Sequence, residues 1–168
     1  MRKIILNLAV SLDWYIEWSA GEIDWCLTDQ DYGMTDFISS IDTMLMGRKS
    51  YVLFSHDMKK FFPHVEQIVF STTLQETWVT ILSSDIQKNI EKLKKSAGKD
   101  IWLFGWAKLI ESLLNAKFID EIHILIHPLI LWRWTPLFLW WDERISLELI
   151  SATPFSSWWV QHKYKVIY

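Results

Sequence analysis

What most restricts the fold of this chain is a change of period that repeats along it. Short apolar runs rich in β-branched residues alternate with segments whose apolar residues recur at helical spacing. Residues 3–11 (KIILNLAVS) read as a first buried strand, followed by a long connection over 12–28. A helix is expected from about Thr28 to Ser40, with Asp29 and Asp31 in its first turn, where a carboxylate suits the helix dipole, and with Gly33 weakening it. Residues 42–46 (DTMLM) form a second strand, and Gly47-Arg48-Lys49-Ser50 opens a short helix through about Phe54. Strands are expected at 66–71 and 78–82, a surface helix at 85–96 starting at Asp85, a strand at 100–104 and a helix at 107–117. A long strand at 119–131 and a terminal antiparallel pair at 145–153 and 158–168 complete the chain.

Strands alternating with helices, then a run of strands, predict an α/β fold. The expected form is a three-layer sandwich whose central sheet is mostly parallel, with an antiparallel C-terminal edge. A length of 168 residues fits a single domain over 1–168 with a sizeable core. A net charge of −3 argues against a nucleic-acid partner. No apolar stretch has the length of a membrane span. The start MRKIILNLAV reads as a strand, because its apolar run is short and interrupted by Asn7. A single cysteine, Cys26, forms no internal disulfide and points to the cytoplasm.

Three strand ends run into helix starts or polar turns: Met46-Gly47-Arg48-Lys49-Ser50, Ser71-Thr72-Thr73 and Phe104-Gly105-Trp106-Ala107-Lys108. Ligands of open α/β sheets bind outside the carboxyl ends of strands. A helix N-terminus there offers free N–H groups and a partial positive charge, to which Arg48 and Lys49 add full ones. A phosphorylated dinucleotide would use all of this. Each segment alone reads equally as a helix cap with exposed charges.

One composition figure bears on these turns. Average usage of about 7% predicts roughly a dozen glycines, whereas the chain has 5 glycines and 12 tryptophans. Several tryptophans stand in turn contexts, as in Asp13-Trp14-Tyr15, Leu131-Trp132-Arg133-Trp134-Thr135 and Ser157-Trp158-Trp159. Glycine takes φ > 0 at little cost, and tryptophan does not.

The segments LAVSLDWYIE (8–17), MGRKSY (46–51), IWLFGWAKLI (101–110) and IDEIHILIHPLILWRWTPLF (119–138) together resemble the dihydrofolate reductase-like family. The nearest branch is similar to the reductase domain of the bacterial riboflavin-pathway deaminase–reductase. In that alignment Trp14, Trp106, Trp132 and Trp134 stand where the family has glycine, and Trp18 and Trp158 do the same. Two readings stand: the chain is an altered variant of such a protein, or the molecule carries glycine at these positions.

The resemblance implies NADPH as cofactor. Gly47, Arg48, Lys49 and Ser50 would meet its phosphates near the adenosine half, and Ser71 and Thr72 the ribose 2′-phosphate. Gly105, Trp106, Ala107 and Lys108 would form the pyrophosphate loop, and Ala9 and Val10 would flank the nicotinamide. Asp13 would face the substrate as the one nominated acid, or serve only to cap the loop after the first strand. Trp25 would line the substrate mouth or simply pack.

The implied reaction is hydride transfer to a small heterocycle, of the 5-amino-6-(5-phosphoribosylamino)uracil reductase kind, impaired if an indole fills the pyrophosphate loop. The alternatives are a non-catalytic scaffold retaining the fold and, third, a true dihydrofolate reductase, for which no acidic substrate anchor is clearly placed. A small-molecule substrate and a homodimer are the implied partners. His123 and His127 share one strand face, but no further ligand is spaced to make a metal site, so they read as strand histidines. Cys26 reads as a semi-buried thiol. The pairs Trp140-Trp141 and Trp158-Trp159 should each point one indole away from the core, which favours a dimer built partly on the sheet edge.

Overall fold

The computed structural model describes residues 1–17, 24–26, 29–105, 107–133, 135–139 and 144–168, with the side chains of Asp57 and Lys59 set aside. Trp18, Trp106, Trp134, Trp140 and Trp141 therefore lie outside the described residues. Among the described residues, eight strands and four helices follow in the order β1 (Ile4–Ser11), α1 (Met34–Ser40), β2 (Ile41–Gly47), α2 (Arg48–Phe61), β3 (Glu66–Phe70), β4 (Thr80–Leu82), α3 (Ile86–Lys95), β5 (Asp100–Leu103), α4 (Ala107–Asn115), β6 (Glu121–His127), β7 (Ser146–Pro154) and β8 (Val160–Ile167).

All the strands join one sheet, ordered β4-β3-β2-β5-β1-β6-β8-β7. Pairings from β4 across to β6 are parallel. The β6–β8 and β7–β8 pairings are antiparallel, as the terminal pair of runs implied. Each face carries its own core. On one face Leu6, Val10, Leu45, Ile101 and Leu103 pack with Ile90 of α3 and Ile110 and Leu113 of α4. On the other, Ile5, Met44, Met46 and Trp102 pack with Phe37 of α1 and Tyr51 and Met58 of α2. Each fully buried Leu or Ile stabilises by about 1.5–3 kcal/mol, so these two clusters hold the three layers together.

Three boundaries differ from the sequence expectation for local reasons. Helix α1 begins at Met34, not near Thr28, because Gly33 takes a left-handed φ of 76° immediately before it. Helix α2 runs on to Phe61, well past Phe54, because Phe54, Met58 and Phe62 line one stripe against the sheet and a cavity. Strand β6 stops at His127, since Pro128 has no N–H to continue the ladder.

Candidate active site

Strands β3, β2 and β5 are neighbours, and their carboxyl ends lie along one rim. Gly47 pairs with Phe70, the residue before Ser71, and Leu45 pairs with Leu103, two residues before Gly105. Each end turns directly into the segment singled out from sequence. Arg48 is the first residue of α2 and Ala107 the first of α4. Gly47 precedes α2 with extended backbone, and a Cβ added there would meet nothing within 4 Å. At Gly105 an added Cβ would sit 3.3 Å from the Leu109 side chain, so space is tight on the helix side only. Ser50 is 1% exposed, and its Oγ has no hydrogen-bond partner. A buried orphan hydroxyl in the first turn of a helix is costly unless a ligand or water completes it. Arg48 and Lys49 are exposed, and Lys49 Nζ lies 3.5 Å from Glu17. The Ser71 hydroxyl oxygen accepts from the N–H groups of Thr73 (3.1 Å) and Leu74 (2.9 Å), leaving its own proton to donate outward, and Thr72 is exposed beside it. Ala107 is buried and Lys108 exposed.

Beside this rim opens a cavity of about 610 Å³, in the size range of small-molecule sites. Its floor follows from strand register. Ala9, Leu125 and Gln161 lie in one row across β1, β6 and β8, and Ser11 and His127 in the next. Alternation puts these side chains, with Asn7, on one face and Leu6, Leu8 and Val10 on the other. Asn7, Ala9, Leu125, His127 and Gln161 all line the cavity. Its walls are Phe54, Met58 and Phe62 from α2, Trp102, Phe104 and Gly105 from β5 and its loop, and Tyr32, Met34 and Trp159 opposite.

Two sequence assignments change. Val10 is fully buried in the core shared with α3 and α4, so its side chain cannot flank a ring in the cavity, because its neighbour Ala9 already faces that side. Asp13 does not line the cavity. Its Oδ1 accepts from the Ser11 hydroxyl (2.6 Å) and the Leu131 N–H (3.1 Å), and its Oδ2 from the Trp132 N–H (2.8 Å). Burial pushes this carboxyl up, but the hydrogen bonds outweigh it and hold Asp13 below the usual carboxylate range. An anion so engaged caps the loop after β1 and is poorly suited to donate a proton.

Trp25 lies just outside the lining residues and meets the His127 ring edge-on at 4.9 Å. Burial pushes the Cys26 thiol up to about 12, with Asp24 adding to the effect, so it is an inert wall residue. His123 bonds Glu121 through Nε2 at 3.0 Å. His127 bonds the Leu125 carbonyl through Nδ1 at 3.1 Å. Burial lowers both rings' proton affinity, and both read as neutral strand histidines. No group of three metal-binding side chains occurs among the described residues, and no helix among them is long and apolar enough to cross a membrane.

Asn7, Asp31 and Gln161 were not singled out from sequence, yet all three line the cavity. For Asn7 a signal existed: a polar residue inside an otherwise apolar strand. For Gln161 and Asp31 there was none, since one alternates on an edge hairpin and the other looked like an ordinary first-turn acid.

Residues 2–153 match the RibD C-terminal domain family. The chain is 40% identical to the uncharacterized protein YyaP of Bacillus subtilis (strain 168), over 97% of this chain and 94% of that protein. A putative riboflavin biosynthesis protein from Shewanella sp. PV-4 superposes with a TM-score of 0.85 at 23% identity, over 100% of both chains. The dihydrofolate reductase of Enterococcus faecalis, solved with NADP(H), superposes with a TM-score of 0.68 at 15% identity, over 98% of this chain and 94% of that one. At those identities the two structural likenesses speak for the fold, and the sequence match speaks for the family. The chain belongs to the RibD C-terminal domain family and has the dihydrofolate reductase-like fold.

Proposed function

We propose that this protein is an NADPH-dependent reductase of a small heterocycle. One observation carries the reading: three adjacent parallel strands end in helix starts or polar turns along the rim of an aromatic-walled cavity. The orphan Ser50 hydroxyl and the open space over Gly47 fit a phosphate group held there. Arg48, Lys49 and Ser50 would hold the adenosine-side phosphates, Ser71 and Thr72 the 2′-phosphate, and Gly105, Ala107 and Lys108 the pyrophosphate. Trp106 belongs to the same loop in sequence and lies outside the described residues. Ala9 would support the nicotinamide ring, whose hydride is the chemistry the bound cofactor supplies.

The chain's own part is to align two flat rings in the cavity and keep bulk water from the reacting face. With Asp13 committed to the loop, the proton that completes reduction comes from water entering at the mouth. The apolar residues of the edge strand, Leu147 and Leu149, are 43% and 57% exposed, and with Trp158 they are the surface on which a homodimer would form.

The test is equilibrium titration with NADPH, followed by NADPH oxidation in the presence of aminouracil nucleosides. Saturable binding that competes with NADP⁺ supports the reading. A protein that binds no NADPH even after Trp106→Gly would instead be the non-catalytic scaffold, a reading favoured by the tryptophan in the pyrophosphate segment.

A further inference from the structure

A second cavity, of about 490 Å³, opens at the other end of strands β3 and β4. Glu66 begins β3 and lines this cavity, whereas Ser71 follows the end of β3 at the cofactor rim. At about 3.3 Å of rise per strand residue the two stand roughly 16 Å apart. The remaining walls are Phe62, Pro63 and Val65 from the segment after α2, Gln67, and residues 77–80 leading into β4.

Strand alternation sorts this lining. Gln67 shares a face with Val65 and Val69, which belong to the core under α1 and α2, and Phe62 and Val79 pack against the same core. Glu66 shares the other face with Thr80, whose hydroxyl donates to Glu66 Oε1 at 3.2 Å. The cavity therefore wraps round the start of β3 and meets a polar side chain on each face. Gln67 is 9% exposed, and its Oε1 is buried with no partner among the described residues. Its neighbours on that face are valines, so packing alone does not require an amide there, and an amide oxygen left unbonded is costly.

Both polar groups ask for donors. The Gln67 oxygen only accepts, and Glu66 is an exposed carboxylate. Among the described residues no Lys or Arg lines the cavity. Lys60, close in sequence, sits over the Phe61 ring at 5.1 Å. Trp78 lines the cavity beside Tyr51, their rings 5.5 Å apart, and with Phe62 it presents aromatic surface that attracts a cation.

We infer that this cavity is a second ligand site, which takes a short aliphatic diamine. One ammonium donates to Gln67 Oε1, the other pairs with Glu66, and the methylene chain between them lies along Phe62 and Val79. Apart from Phe62, which walls both cavities, the site shares no lining residue with the cavity at the cofactor rim. It stands whether or not the reductase reading does.

The test is isothermal titration of the full chain with putrescine and, for comparison, butylamine, which has a single ammonium. Putrescine should bind saturably and at least about tenfold tighter than butylamine, one decade in Kd. Glu66→Gln should bring putrescine down to the butylamine level, and Gln67→Leu should weaken it by a similar factor. Glu66 is exposed, so its variant stays informative if Gln67→Leu fails to fold. Glu148→Gln, on the strand at the opposite edge of the sheet from β4, should leave the Kd unchanged, as should saturating NADPH. Equal binding of the two amines overturns the inference, as does the absence of saturable binding up to millimolar concentration. A loss in Glu148→Gln as large as in Glu66→Gln would mean general attraction to an acidic protein, and displacement by NADPH would put the amine at the cofactor rim. Either result also overturns it.

Discussion

The two ends of the sheet are built on opposite terms. At the amino ends of the parallel strands, buried charges are matched. Arg2, 7% exposed, pairs with Asp42, donates to Thr43 Oγ1 at 2.6 Å and reaches the Lys99 carbonyl at 2.5 Å. Lys94, 5% exposed, pairs with Asp120 at 2.5 Å and donates to the Phe118 carbonyl at 3.0 Å. Gly98 belongs to the same device. Its φ is 147°, and a Cβ there would lie 2.7 Å from the Asp42 carboxylate and 3.0 Å from the Arg2 guanidinium carbon. At the carboxyl ends, by contrast, Ser50 Oγ and His127 Nε2 are buried with no partner among the described residues. Three tryptophans there, Trp14, Trp132 and Trp158, have φ between 65° and 68°. Gln67 Oε1 and His123 Nδ1, near the starts of β3 and β6, are also buried without partners among the described residues, but the charges at that end are matched, whereas His127 at the other end faces a cavity that a ligand can fill. At the centre of the sheet one end is an anchor and the other a receptor.

The contrast is broken most directly by removing one member of a matched pair. Arg2→Leu removes the buried partner of Asp42, whose carboxylate is 36% exposed and still accepts from the Lys99 N–H, and losing such charge-assisted hydrogen bonds costs about 1–3 kcal/mol. Urea unfolding should show that loss as a lower midpoint at unchanged slope, while the NADPH affinity of the folded fraction stays the same. A fall of less than about 1 kcal/mol would place Arg2 with ordinary surface ion pairs. At the receptor end, Trp106→Gly should tighten NADPH binding by at least about tenfold, or 1.4 kcal/mol, with little change in unfolding midpoint. An unchanged dissociation constant after that substitution would count against the loop assignment, and micromolar affinity in the unaltered chain would show that the indole does not block the site.

Acid should sharpen the contrast along a single strand. His123 and His127 sit near opposite ends of β6, and burial lowers the proton affinity of both. Glu121 partly offsets this for His123, with Lys163 and Lys3 working against it, and the Leu125 and Val10 carbonyls partly offset it for His127. With the folded value below the unfolded one, the unfolded chain takes up protons first. Stability is therefore full above about pH 6.5 and falls as pH drops below it, by at most about 1.4 kcal/mol per pH unit for each ring. His127→Gln should remove roughly half of that slope, and His123→Gln the other half. A flat profile between pH 7 and 5 would show that neither ring is held neutral.

The mostly parallel character of the central sheet was legible because most of its strands are short apolar runs separated by helices, which favours parallel pairing, whereas the order of the strands was not. The antiparallel edge was legible because β7 and β8 follow each other with only a turn between. The rim segments could be read too, since Gly47-Arg48-Lys49-Ser50 and Gly105 stand where a strand becomes a helix. The cavity floor could not. Membership of Gln161 depends on β8 crossing back beside β6 in a particular register, which no local pattern specifies. The Asp13 loop was hidden for the same reason. Its acceptors are filled by N–H groups of residues 131 and 132, more than a hundred positions away, and those appear only once Leu12 bonds Leu129, Ile16 bonds Thr135 and Tyr15 bridges Pro136. Beyond His127 the expected long strand gave way to this loop-to-loop knitting.

The smallest effect concerns the tryptophans themselves. Left-handed backbone costs a non-glycine residue about 1–2 kcal/mol, and a bulky side chain gains it back only by burying surface. Trp132 and Trp158 are 79% and 84% exposed, and Trp14 is 41% exposed with one tilted contact to Phe138 at 6.4 Å. Their indoles therefore return little. All three turns close at the receptor end, and Asp13 holds the Trp132 N–H in place whatever side chain follows. Glycine would relieve the strain while adding some freedom to the unfolded chain, so each of Trp14→Gly, Trp132→Gly and Trp158→Gly should stabilise by about 1 kcal/mol or less. In calorimetry that is a rise in Tm of about 2–4 °C for a chain of this length, largest at Trp132 and Trp158, where no packing is lost, and smaller at Trp14. A fall in Tm at the two exposed positions would mean that the indoles are held by a contact outside the chain, such as a second copy seated on the rim. An unchanged Tm at all three would mean that the turns relax to another backbone once the side chain allows it.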